Sequence, residues 1–79
     1  MRILLVEDDE SVAKALEKVL TDERYTVDVA EDGQAGWHLV NAYDYDLVVL
    51  DVVLPKLDGL ELCQRLRKHS YTMPVLLLT

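Results

Sequence analysis

Apolar residues along this chain fall into two kinds of run that alternate. Ile3-Leu4-Leu5-Val6, Leu47-Val48-Val49-Leu50 and Val75-Leu76-Leu77-Leu78 are continuous, too short for independent helices, and rich in the branched side chains that strands favour. They predict strands buried on both faces. Val27-Asp28-Val29-Ala30 carries a charge inside its apolar pattern, which suits an edge strand with one face partly wet.

Between these blocks the spacing changes to helical. Val12, Ala15, Leu16, Val19 and Leu20 fall on one stripe with Lys14, Glu17 and Lys18 opposite, predicting a surface helix laid on a sheet. A second helix starts at Asp32, a good N-cap residue, and turns Gly36, Trp37 and Val40 inward, with Gly36 allowing a close approach. A third starts near Asp58, faces Leu62, Cys63 and Leu66 to the core, and ends in Arg65, Arg67 and Lys68, whose charges suit the helix dipole. Met73-Pro74 closes the loop before the last strand.

The order β-α-β-α-β-α-β implies a parallel α/β sheet with right-handed crossovers and helices on both faces. Ligands of such sheets bind beyond the carboxyl ends of the strands. Those ends carry Glu7 and Asp8 after the first strand, Asp51 after the third and Thr79 after the fourth.

Three carboxylates crowded together repel one another unless a cation lies between them. Oxygen ligands in a small acidic cluster suit Mg²⁺, which takes a few carboxylates and completes its shell with water and phosphate oxygens. A carboxylate so placed can attack a phosphoryl donor, which makes Asp51 the expected nucleophile and Thr79 a hydroxyl donor to the phosphoryl group. The plainer reading is that Glu7 to Glu10 form only the acidic entrance to a helix, Asp9 as its cap and Glu10 as the dipole's complement. That account serves Asp9 and Glu10. It leaves Asp51 unexplained, since an aspartate directly after an apolar strand has no evident role in solubility.

Composition narrows the classes. The chain has 79 residues, 51% hydrophobic and 29% charged, with a net charge of −7, which speaks against nucleic-acid binding by this segment. Its apolar runs are too short to span a membrane, and the start has no cleavage signal, so a cytoplasmic protein is expected. The single cysteine, Cys63, reads as a small buried hydrophobe. Trp37 is expected against the sheet, and Tyr25, Tyr43, Tyr45 and Tyr71 as amphipathic rims. His38 and His69 have no second ligand at metal spacing.

Motif by motif, the chain resembles the receiver domain of two-component response regulators. Ile3 to Asp8 resembles that family's first strand and acidic pair, Asp46 to Pro55 its phosphoacceptor strand and loop, Asp58-Gly59 the entry to its third helix, and Pro74 to Thr79 its fourth strand and switch threonine. The stretch from Leu54-Pro55 to Glu61 is most like the OmpR/PhoB type, whose effectors are winged-helix DNA-binding domains. The resemblance implies a flavodoxin-like (CheY-like) doubly wound sheet of strand order 2-1-3-4. It implies Asp51 as acceptor of a phosphoryl group from a sensor histidine kinase. It also implies a Mg²⁺ site of Asp8 and Asp51, Glu7 through water, and the backbone carbonyl of Val53. Pro55 and Gly59 shape the loop. Such a domain is a phosphoacceptor rather than an enzyme, with self-catalysed phosphotransfer and dephosphorylation.

Residues 1–79 are thus expected to form a single N-terminal receiver that stops short of the family's last helix, strand and helix, and so lacks its phosphoryl-contacting lysine. The alternative is a non-phosphorylatable interaction fragment, and either way copies are expected to associate through the exposed edge of the fourth strand or through an exposed helix face. A dehalogenase-type phosphatase would need an aspartate where Val53 stands. A pseudo-receiver would have lost Glu7, Asp8 or Asp51.

Overall fold

The structure is a computed structural model and describes residues 1–51 and 57–78. Among the described residues four strands and three helices alternate: β1 (Arg2–Val6), α1 (Glu10–Asp22), β2 (Thr26–Ala30), α2 (Gly33–Ala42), β3 (Leu47–Asp51), α3 (Gly59–Lys68) and β4 (Val75–Leu78). All pairings are parallel and the strand order is β2-β1-β3-β4. β2 is an edge, as its internal charge foretold.

Alternation along the strands separates two apolar layers. Leu4, Val6, Val48 and Leu50 pack with Val40 of α2 and Leu62 and Leu66 of α3, whereas Ile3, Leu5 and Val49 face Ala13 of α1. Residues 3–6 of β1, inside the sheet, are fully buried. Among the described residues β4 has a neighbour on one side only, and its central Leu76 and Leu77 are 54% and 38% exposed. Its apolar run is therefore an edge and is not buried on both faces.

Each helix begins on a capping aspartate. Asp9 accepts from the amides of Ser11 and Val12 at 2.9 and 3.2 Å, Asp32 from Ala35 at 2.8 Å, and Asp58 from Glu61 at 2.9 Å. The predicted stripe of α1 splits, because Ala13, Leu16 and Leu20 face the sheet while Val12, Ala15 and Val19 are exposed. Those two sets lie roughly 100° apart around the helix, and the apolar stripe is wider than the surface the sheet presents. In α3, Leu62 and Leu66 are fully buried but Cys63 is only half-buried, rotated to the margin of the contact.

Tyr45 also departs from its expected place on the rim. It is 6% exposed, and its hydroxyl donates to Asp28 Oδ2 at 2.7 Å while Arg2 donates to the same oxygen at 2.9 Å. This ties β1, β2 and the α2–β3 loop together at the amino ends of the strands. Tyr45 draws Asp28's carboxyl below its usual range, with the Arg2 hydrogen bond acting the same way against the opposing effect of burial. Trp37 is half-buried against the core, with His69 and Tyr71 edge-on at 4.9 and 6.1 Å between ring centroids and the Arg65 guanidinium over its ring.

Candidate functional site

β1 and β3 are adjacent and parallel, so their carboxyl ends emerge side by side. Glu7 and Asp8 follow the last residue of β1, and Asp51 is the last residue of β3. One ligand oxygen from each of the three can be chosen so that all lie within 4.8 Å of one another. The strand pairing that buries Val6 against Leu50 therefore also assembles the cluster.

The three differ in setting. Glu7 is 5% exposed, whereas Asp8 is exposed and Asp51 half-buried. The amide of Glu7 continues the sheet by donating to Ala30 O at 3.0 Å, and its Oε2 accepts from the Asp9 amide at 3.2 Å. Asp9 therefore serves twice, its side chain capping α1 while its backbone steadies the buried carboxylate. Burial is the main cause that pushes Glu7 above the ordinary glutamate range. The Asp9 amide works against it, and Asp8 and Asp51 add to the rise by hydrogen bonding and repulsion.

An open cleft of 310 Å³ lies beside the cluster, lined by Glu7, Asp8, Glu10, Ala13, Val29 and Glu31. A larger one of 440 Å³, between the loops before β3 and β4, lies at the other end of the strands and holds none of the three carboxylates. The chemistry favours the smaller cleft. A buried carboxylate whose charge is disfavoured, with two more within reach and only oxygen donors offered, fits a hard divalent cation such as Mg²⁺.

The sequence-derived residues Glu7, Asp8 and Asp51 are thus brought together. Val53, Pro55 and Thr79 lie outside the described residues. Residue patterns had not singled out Glu10 and Glu31 as walls of the cleft, since they reach it only through the pairing of β1 with β2 and the placement of α1. Nor had they signalled the Arg2–Asp28–Tyr45 network, whose members lie far apart along the chain.

A doubly wound parallel sheet with an acidic triad at its carboxyl edge defines a class of α/β domains whose strand ends can hold a hard cation. Within that class the chain belongs to the response regulator receiver domain family, whose sequence profile residues 3–79 match. Protein RcaC of Microchaete diplosiphon is 53% identical over the whole chain, which covers 12% of that relative. The transcriptional regulatory protein TctD of Salmonella typhimurium is 51% identical, again over the whole chain and 35% of the relative. This chain therefore spans about a third or less of the length of these curated relatives. The receiver domain of Francisella response regulator 1452 superposes with a TM-score of 0.94 at 32% identity, over 96% of this chain and 63% of that one. The response regulator TrrA of Thermotoga maritima, solved in complex with Mg²⁺-BeF, gives 0.93 at 36% identity, over 99% and 68%. No helix among the described residues is long and apolar enough to cross a membrane.

Proposed function

We propose that this chain receives a phosphoryl group on Asp51 from the phosphohistidine of a sensor kinase, and that the acylphosphate controls an attached transcriptional effector. The convergence of Glu7, Asp8 and Asp51 within 4.8 Å at the carboxyl ends of adjacent strands carries this reading. The likeness to TrrA, which was solved in complex with Mg²⁺-BeF, supports the metal in this reading.

Glu7, Asp8 and Asp51 are the residues that would hold Mg²⁺, and a bound ion would offset the negative charge of the cluster and of an incoming phosphoryl group. An Asp51 carboxylate oxygen attacks phosphorus, the new P–O bond forms as the P–N bond to histidine breaks, and the imidazole nitrogen keeps the bonding pair and takes a proton from solvent. Hydrolysis of the acylphosphate by water returns the carboxylate and phosphate. The protein is in this sense a self-catalysing acceptor rather than an enzyme acting on an external substrate. It works in the cytoplasm, and its acidic surface leaves nucleic acid to the effector. The exposed Leu76 and Leu77 on the β4 edge also favour pairing with a second copy.

Intact mass after incubation with Mg²⁺ and acetyl phosphate, beside an Asp51→Asn control, tests the reading. One phosphoryl adduct on the parent chain and none on the control is expected. No adduct with Mg²⁺ binding retained would make the chain an interaction module without phosphotransfer.

A further inference from the structure

Gly33 opens α2 immediately after its N-cap Asp32, and its neighbour is the far end of the segment that leaves Asp51. A Cβ placed on Gly33 would lie 1.8 Å from the carbonyl oxygen of Leu57, 2.7 Å from its carbonyl carbon and 2.8 Å from its Cβ. No Cβ survives such distances. The backbone of Gly33 is not left-handed, so conformational freedom does not explain the glycine. Space does, since the Leu57 carbonyl occupies the place a side chain would take.

Both partners are held from behind. Asp32 caps α2 through the Ala35 amide at 2.8 Å and accepts the Gly36 amide on its carbonyl at 3.0 Å, fixing the first turn. Leu57 is 5% exposed within the core layer of Leu50 and Leu62, and the next residue, Asp58, caps α3. Only residues 52–56 join Leu57 to Asp51. Relieving the clash requires the separation to grow from 1.8 Å to at least 3.0 Å, and a backbone carbonyl cannot rotate aside as a side chain can.

We infer that Gly33 is a positioning residue for the acidic site: by admitting the Leu57 carbonyl against α2 it sets the distal anchor of the chain leaving Asp51. This rests on the function proposed above. Gly36, one turn along, provides the internal comparison, because a Cβ there meets only side chains, Val6 Cγ2 at 3.0 Å and Leu62 Cδ2 at 3.4 Å. Overpacking at Gly36 strains the core. It leaves the Leu57 anchor in place.

The test sets Gly33→Ala beside Gly36→Ala in the full chain, measuring Mg²⁺ affinity by calorimetry, acetyl phosphate labelling at saturating Mg²⁺, and the urea midpoint. Gly33→Ala is expected to weaken Mg²⁺ binding about tenfold, the scale of lost outer-shell support, and to slow labelling. Gly36→Ala is expected to lower the urea midpoint with affinity and labelling intact. Parent-like affinity and labelling in Gly33→Ala, or losses in both variants that merely track stability, would overturn the inference. Should Gly33→Ala fail to fold, amide NMR of the parent chain decides, with the Gly33 amide shifting along the Mg²⁺ titration and the Gly36 amide still; a silent Gly33 overturns it. A parent chain that binds no Mg²⁺ sinks the proposed function instead, and the positioning role is then read without metal. It stands if Gly33→Ala shifts the Asp51 amide and Gly36→Ala does not, and falls if the Asp51 amide is unmoved.

Discussion

Replacing Glu7 by glutamine should stabilise the metal-free protein while weakening its response to Mg²⁺. Glu7 is 5% exposed, and its carboxylate lies in a cluster whose ligand oxygens are within 4.8 Å of one another. At that separation and an effective dielectric of about 20, each like-charge pair costs about 3.5 kcal/mol. Asp8 is exposed and Asp51 half-buried, so water and salt reduce the net repulsion to about 1 kcal/mol. Glutamine preserves the shape and can still accept from the Asp9 amide. With a denaturant dependence of about 1 kcal/mol per M urea, the midpoint in EDTA should rise by about 1 M. The sign follows from the raised pKa. Glu7's protonated form favours the fold, so the parent's stability is full below the unfolded value of 4.5 and falls as pH rises through the folded one. The advantage of Glu7→Gln should accordingly widen toward neutral pH and vanish in acid. If the cluster holds Mg²⁺ as proposed, the ion at about 100 times its Kd should add about 2.7 kcal/mol to the parent and less to the variant. An unchanged or lowered midpoint in EDTA, or an undiminished Mg²⁺ response, would refute the electrostatic account of the site.

At the other end of the strands the sign reverses. Asp28's carboxyl is held below its usual value of 3.8, so its contribution is present above that pH and disappears as acid protonates it. Asp28→Asn should flatten the urea midpoint against pH in that acidic window, and a profile identical to the parent's would exclude the Tyr45–Asp28–Arg2 network as its source. For the β4 edge, sedimentation velocity over a dilution series should show self-association that Leu76→Lys abolishes, and a parent that sediments as a monomer at every concentration would remove that proposal.

Much of this protein is written locally. The four apolar runs became the four strands, and Asp9, Asp32 and Asp58 cap the helices they precede, because strand burial and N-capping depend on residues within a few positions of each other. Asp51 was legible for the same reason, as an aspartate closing an apolar strand with Glu7 and Asp8 closing another. What periodicity misjudged was contact with distant elements. Val12 and Val19 share a stripe with Leu16, yet only the sheet's width decides which of them it covers. Tyr45 is a rim residue by pattern and a core residue in fact, because Asp28 and Arg2 come from two other segments to satisfy its hydroxyl and share its burial.

The sequence by itself determined the element order, the capping residues and the identity of the three carboxylates, all of them set by short-range sterics and hydrogen bonding. Tertiary structure alone decided that Glu7 is buried while Asp8 is open, that Glu10 and Glu31 wall the cleft, and that Leu57's carbonyl rests in the space left by Gly33. Burial and close approach are properties of pairs of surfaces, and those pairs exist only once parallel strands and their crossover helices have closed on one another.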